Sequence, residues 1–292
     1  MRVAYAFLIA HAAAVVFGLV GMLIALRHPE LWAGTGVGET LFSFGMRHGG
    51  ALHILLGAAS LFAFGLVVLG RRRTLLFFVA AVAVSLAAEL IGTETGWPFG
   101  AYEYAKTLGP MVAGRVPVAI PLSWFYLGLT SYLLGRLLLA RTGLPDRAAI
   151  SVSLGVWLLV VWDLVLDPAM AHPSMPMKFW VWHDTGRYFG MPLSNFAGWA
   201  LTAATFMSLA RWLWGSEVEA SRIPAAFLLA VYGVNLLFAV VLTASAGLWG
   251  PTVLALSAVL IPAVAVSWRA RRVALVLNGR EAVPAGRGHG HT

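Results

Sequence analysis

The chain predicts an all-α integral membrane protein, a polytopic helical bundle of about eight transmembrane helices. Three observations lead there. Of its 292 residues, 60% are hydrophobic and only 11% charged, with a mean hydropathy of +0.83, a balance that soluble globular domains do not reach. Apolar runs of roughly 20 residues, the length that crosses a bilayer, recur along the chain. The basic residues gather in the short segments between those runs.

The runs fall at about 3–25, 50–69, 75–92, 116–139, 148–166, 194–214, 224–246 and 251–268. The first starts after Arg2. Its apolar stretch is too long for a signal-peptide core and no small-residue cleavage site follows, so it reads as a span. The second stops before Arg71, Arg72 and Arg73, and the third carries Glu89 near its end. The turn Gly143-Leu144-Pro145-Asp146 separates the fourth from the fifth, which carries Asp163 and ends at Asp167-Pro168, a pair that commonly marks a helix boundary. Only 247–251 divides the last two. Residues 1–268 thus read as one transmembrane domain with its site region at about 85–200. The basic and then glycine-rich segment 269–292, ending Gly288-His289-Gly290-His291-Thr292, reads as a disordered cytoplasmic tail.

Orientation follows from the positive charges. With both termini cytoplasmic, the inner segments hold fourteen of the twenty Lys and Arg residues, among them Arg71 to Arg73, Arg141 and Arg147, while Arg27, Arg47, Lys106, Arg115, Lys178 and Arg187 lie outside. That bias favours a multi-pass protein of the cytoplasmic membrane in this orientation. The acids run the other way: Glu89, Glu94, Glu103, Asp163, Asp167 and Asp184 fall in the outer half, whereas Asp146 and Glu217 fall inside.

Several function classes drop out. The chain has no cysteine, which excludes disulfides, thiolate metal sites, iron–sulfur clusters and cysteine nucleophiles. Outside the tail the histidines are His11, His28, His48, His53, His172 and His183. None pair three or four residues apart, so the clusters of a membrane di-iron oxygenase are missing and no metal is expected. There is no phosphate loop, dinucleotide fingerprint or nucleophile elbow. The net charge of +8 is explained by topology, and no nucleic-acid partner is expected.

Candidate chemistry concentrates in two patches. Glu89 precedes the polar, glycine-rich and aromatic stretch 93–104, and Asp163 and Asp167 precede a second aromatic loop. An ionisable group at membrane depth costs about 2.5–3.5 kcal/mol on insertion scales and therefore marks a candidate site. Asp163 and Asp167, four residues apart, share one helix face. A carboxyl group withdrawn from water favours its neutral form, which a general acid needs. Capping by Asp167 and an ion pair between Glu89 and Arg115 are the structural alternatives. The loops 93–115 and 168–193 are long and rich in Gly, Pro, Trp and Tyr, as functional loops are. Seven of the twelve tryptophans, Trp97, Trp124, Trp157, Trp162, Trp180, Trp182 and Trp199, fall between residues 97 and 199. An interfacial belt accounts for many of them, although Trp124 and Trp157 lie deeper than a belt. Aromatic faces also stabilise cations.

The strings Glu94-Thr-Gly-Trp-Pro-Phe-Gly-Ala-Tyr-Glu-Tyr104, Val116-Pro-Val-Ala-Ile-Pro-Leu-Ser-Trp124, Asp163-Leu-Val-Leu-Asp-Pro168, Trp180-Val-Trp182 and Tyr188-Phe-Gly-Met-Pro-Leu-Ser-Asn-Phe-Ala-Gly-Trp199 resemble the CruF-type carotenoid hydratases. These membrane proteins include the 1',2'-hydratases and the bisanhydrobacterioruberin hydratases. The resemblance covers roughly residues 85–200. It implies a cofactor-independent hydro-lyase that adds water across the terminal C1'–C2' double bond of an acyclic (ψ) end group, such as that of γ-carotene or lycopene, giving a tertiary 1'-hydroxy carotenoid. The implied partners are the carotenoid, membrane lipid and water as co-substrate. In that chemistry Asp163 or Glu89 is the expected acid, and Asp167 or Glu94 the group that positions water. Tyr102, Tyr104 and Asn195 complete a polar network. Trp97, Trp124, Trp157, Trp162, Trp182 and Trp199 supply the substrate walls. The alternatives are another carotenoid-modifying enzyme (isomerase, cyclase or hydroxylase) and a proton-coupled transporter.

Overall fold

Apolar length, interrupted by glycine, proline and polar loops, decides where each helix runs. The computed structural model describes residues 1–142, 147–175, 177–216, 218–261 and 264. The helices are α1 (Arg2–Val20), α2 (Gly36–Val68), α3 (Arg71–Thr95), α4 (Ala119–Ala140), α5 (Ala148–Ala171), α6 (Ser194–Trp214), α7 (Ala225–Ser245) and α8 (Trp249–Ile261). Four short strands lie in the loops: β1 (Tyr102–Tyr104), β2 (Met111–Val112), β3 (Val116–Pro117) and β4 (Trp180–Trp182). The expected turn at 143–146 and tail at 269–292 lie outside the described residues.

All eight expected spans contain a helix, and among the described residues six helices are long and apolar enough to cross a membrane: α1 with its continuation to Ala25, α2, α3, α4, α5 and α7. This measure does not confirm the count of eight, for two reasons. Helix α6 carries Asn195, Thr202, Thr205, Ser208 and Arg211 among its apolar residues, and packs against α3 and α5. Helix α8 is a shorter apolar helix over its described length.

Helix ends also depart from the apolar runs. α2 begins at Gly36, well before residue 50, because the Thr35 hydroxyl accepts from the Gly38 amide at 3.2 Å and caps the first turn. Its 33 residues extend about 50 Å, beyond a hydrocarbon core of about 30 Å. α3 continues to Thr95 and stops at Gly96, whose φ of +78° gives the left-handed cap that glycine adopts without strain. α5 does not stop at Asp167-Pro168. It runs to Ala171 with Pro168 inside. Proline has no N–H, so the Leu164 carbonyl one turn earlier loses its helical donor. The Tyr188 hydroxyl, reaching in from the following loop, donates to that carbonyl at 2.8 Å.

Helix α4 is the hub. It packs against α2, α3, α5 and α7, and buried residues occur all round it, as expected of a helix enclosed by others. Deeper in the bundle, His11 of α1 donates through Nδ1 to the His53 carbonyl of α2 at 2.7 Å and accepts from the Asn235 amide of α7 at 3.1 Å. Tyr126 of α4 donates to Asn235 Oδ1 at 2.7 Å. Four helices are thereby tied by polar groups that satisfy one another.

The two long loops close over one end of this bundle. β1 pairs antiparallel with β4, with Tyr102 opposite Trp182 and Tyr104 opposite Trp180. Side chains alternate along a strand, so both tyrosines and both tryptophans share one face of the ribbon. Phe99, in the same loop, wedges between Gly92 of α3 and Gly198 of α6; a Cβ at either glycine would stand 2.7 or 2.5 Å from its ring.

The Pro168–Tyr188 relation is testable. Tyr188→Phe leaves the partly buried Leu164 carbonyl without this donor and is expected to destabilise the protein by about 1 kcal/mol. In a Pro168→Ala background, where the helix supplies its own donor, the same change should cost less. Denaturation in detergent, followed by circular dichroism, measures both.

Candidate active site

Three carboxyl groups converge beneath the ribbon. Glu89 of α3 is 4% exposed. Its Oε1 accepts from the Trp124 indole N–H at 2.9 Å, and its Oε2 accepts from the hydroxyls of Tyr104, at 2.9 Å, and Tyr102. The ribbon's alternation delivers both tyrosines to one carboxyl, while α4 delivers the indole. Asp163 and Asp167 lie one turn apart on α5, both buried. The side-chain amide of Asn195, at the start of α6, donates to Oδ2 of Asp163 at 2.9 Å and to Oδ2 of Asp167. One amide group therefore holds the two aspartates together.

These groups surround a cavity of about 830 Å³. Glu89, Asp167, Asn195, Tyr102, Tyr104, Trp124, Trp162, Trp182 and Trp199, all named from the sequence as candidate site residues, line it. Asp163 is fully buried but does not line the cavity, and its Oδ1 has no hydrogen-bond partner among the described residues. The aromatic walls are well defined: Trp124 stacks on Trp199 with centroids 4.2 Å apart, and Trp162 lies 5.9 Å from Trp199. The indole N–H groups of Trp162 and Trp182, two residues of the cavity wall, are buried without an acceptor among the described residues.

Three residues from the same expectation stand elsewhere. Glu94 is half exposed and paired with Arg115; five residues beyond Glu89 on one helix, it is turned about 140° away. The ion pair considered for Glu89 is thus made by Glu94. Trp97 is 60% exposed and Trp157 47% exposed, and neither lines the cavity. Conversely, Phe99, Tyr126, Phe179, Trp180, Asn235, Phe238 and His53 line it although the sequence motifs do not assign them to the site. Asn235 and His53 are polar residues inside apolar runs, a signal available in the sequence. Spacing tests His53 only as a metal ligand, whereas burial places it at the cavity wall.

Burial, followed by the nearby Glu89 carboxyl, pushes the Tyr102 and Tyr104 hydroxyls well above the ordinary tyrosine range. They remain donors throughout the physiological range and cannot serve as bases there. Chemically, the cavity offers the Asp167 carboxyl, tied to Asp163 through Asn195, and the three-fold hydrogen-bonded carboxyl of Glu89. The rings of Trp124, Trp162 and Trp199 line the same cavity.

A family model described as "Carotenoid biosynthesis protein" matches residues 49–262. The chain belongs to that family. Over 145 residues it is 37% identical to the bisanhydrobacterioruberin hydratase of Haloarcula japonica, an alignment covering 50% of this chain and 47% of that relative. The chain therefore matches about half the length of that hydratase. No solved structure gives a significant match. All the cavity-lining residues named above fall inside the family match.

The tyrosines supply a pH test. A group whose pKa is higher folded than unfolded stabilises the fold below its unfolded pKa, here near 10, and that stability is lost as pH rises further. Denaturation midpoints should therefore fall between pH 9 and pH 11. The Tyr102→Phe/Tyr104→Phe variant should show a shallower fall, read by the same unfolding assay.

Proposed function

We propose that the protein is a carotenoid hydratase, adding water across the terminal C1'–C2' double bond of an acyclic ψ end group such as that of γ-carotene or lycopene. The carrying observation is one cavity that joins Glu89 and Asp167 to a wall of stacked tryptophans. Family membership and the hydratase relative support the substrate class.

In this reading Asp167 is the proton donor. It faces the cavity, and two carboxyl groups held by one amide, Asp163 and Asp167 on Asn195, favour sharing a proton over carrying two charges. Asp163 and Asn195 are positioning residues. Asp167 gives its proton to C2', leaving a tertiary cation at C1'. The faces of Trp124, Trp162 and Trp199 and the carboxylate of Glu89 stabilise that cation. A water hydrogen-bonded to Glu89 and an unpaired indole N–H attacks C1'; its surplus proton passes to Glu89, and exchange with solvent restores the Asp163–Asp167 pair. Every atom of the product comes from substrate and water, so the reaction asks for no redox cofactor. The inward bias of Lys and Arg supports cytoplasmic termini, with the acids towards the outer half of the membrane.

The test is the mass of the pigment formed when the chain is expressed without oxygen in bacteria that accumulate lycopene or γ-carotene. The proposal predicts a gain of one water, carrying label from heavy-oxygen water. A gain of one oxygen atom in air alone would make the protein an oxygenase, and no change under either condition would favour transport. In the same assay Glu94→Gln should retain activity within about twofold, whereas Asn195→Ala should lose about tenfold or more through misplacement of the aspartates.

A further inference from the structure

A second cavity, of about 980 Å³, lies between α1 and the first part of α2. Its walls are almost wholly apolar, and it meets the acid-lined cavity at three shared residues, His53, Phe179 and Phe238. The loop after α5 covers both spaces: Met177 and Phe179 line the cleft, while Phe179, Trp180 and Trp182 line the acid cavity. Two cavities with a common wall and a common cover are suited to one long ligand.

The cleft is built rather than left over. Along α1 its lining runs from Ala14 to Leu26, about 18 Å of helix. At Gly21–Ala25 the helix widens into a π turn, a departure common at functional positions. Trp32 closes the far end: its indole N–H donates to the Ala25 carbonyl at 2.8 Å and its ring stacks on Phe42 at 4.0 Å. On the opposite wall α2 contributes Gly45, Gly49 and Gly50. Phe17 packs over Gly45 and Leu108 over Gly50, while the space beside Gly49 is open. Five of the eight α2 residues on this wall (Gly38, Leu41, Phe42, Gly45 and Met46) precede residue 49, where the family match begins.

We propose that the cleft holds the polyene tail of the carotenoid while its ψ end lies among Glu89, Asp167 and the tryptophans. The proposal rests on the carotenoid reading and deepens it. A conjugated polyene is rigid and flat, so it cannot coil up inside the acid cavity and has to leave through an adjoining apolar slot. Past the junction at His53, whose Nδ1 is held by the Gly49 carbonyl at 3.2 Å, the slot presents glycine backbone and apolar side chains. The segment before residue 49 then reads the far end of the substrate, whereas the matched region acts on the reacting end.

Glycines that line the slot with room for a Cβ allow a direct test. A Cβ added at Gly18 or Gly49 would meet no neighbouring atom within 4 Å, so side chains placed there fill the cleft without displacing backbone. Lycopene binding to the full chain in lipid nanodiscs is read from the shift of its visible absorption and its induced circular dichroism. Gly18→Phe and Gly49→Leu should each weaken binding about tenfold or more, and a melting curve verifies that each variant is folded. Gly233→Phe, on an exposed face of α7 with equal room, should bind as the wild type does. Wild-type binding by either folded cleft variant would overturn the proposal and assign the space to lipid, as would a wild-type protein that does not bind lycopene. If the wild type binds lycopene but forms no hydrated product, the hydratase reading fails, while the cleft proposal stands or falls on the glycine variants.

Discussion

Glu89, Asp163 and Asp167 lie in helices apolar enough to cross a membrane, where a carboxyl group without partners costs several kcal/mol. Much of the surrounding structure answers that constraint. Glu89 takes three donors, two from a β-ribbon and one from the central helix. Both aspartates accept from a single amide on α6. The donors arrive from the ribbon, α4 and α6, so satisfying the acids fixes the mutual positions of α3, α4, α5, α6 and the two long loops. The site and the fold are therefore held by the same hydrogen bonds.

The same arrangement suits the proposed chemistry. Loops that merely linked helices would be short and polar. Here they pair as a ribbon whose inward face is Tyr102, Tyr104, Trp180 and Trp182, which narrows the cavity and supplies donors at once. Buried and protonated, the tyrosines orient Glu89 without competing for its proton. A tertiary cation formed against Trp124 and Trp199 would be shielded from stray nucleophiles, leaving the water held at the carboxyl groups to attack. The adjoining apolar cleft beyond His53 would give such a substrate somewhere to put its rigid remainder.

The class of the fold is plain in the sequence because hydrophobic length is a local property. So is the pairing of Asp163 with Asp167, since a four-residue spacing places both on one face. Other features depend on where helices end. With α3 read as stopping near Gly92, Glu94 looks like a loop residue free to join Glu89; with α3 running to Thr95, the five-residue offset turns it away. Asp167-Pro168 resembles a terminus because the donor that replaces the missing proline N–H, Tyr188, lies twenty residues on. The first third of α2 is hidden by glycines and by Arg47 and His48, which interrupt its apolar pattern. The β1–β4 pairing joins segments nearly eighty residues apart, and no local pattern specifies such a contact. Trp157, deep in sequence terms, faces outward from α5, and tryptophan composition alone does not separate it from Trp124.

The central claim is that Asp167 and Glu89 perform the chemistry across one cavity, rather than merely bracing it. Single-turnover hydration of bound lycopene by Asp167→Asn and Glu89→Gln, each reconstituted in nanodiscs, tests this most directly. Both amides keep the shape of the acid and both variants should bind lycopene within about twofold of wild type, yet each should hydrate it about 10²–10⁴-fold more slowly, the range of a positioned acid or base. Folded variants that bind lycopene and retain wild-type turnover would contradict the assignment and return these carboxyl groups to a structural role.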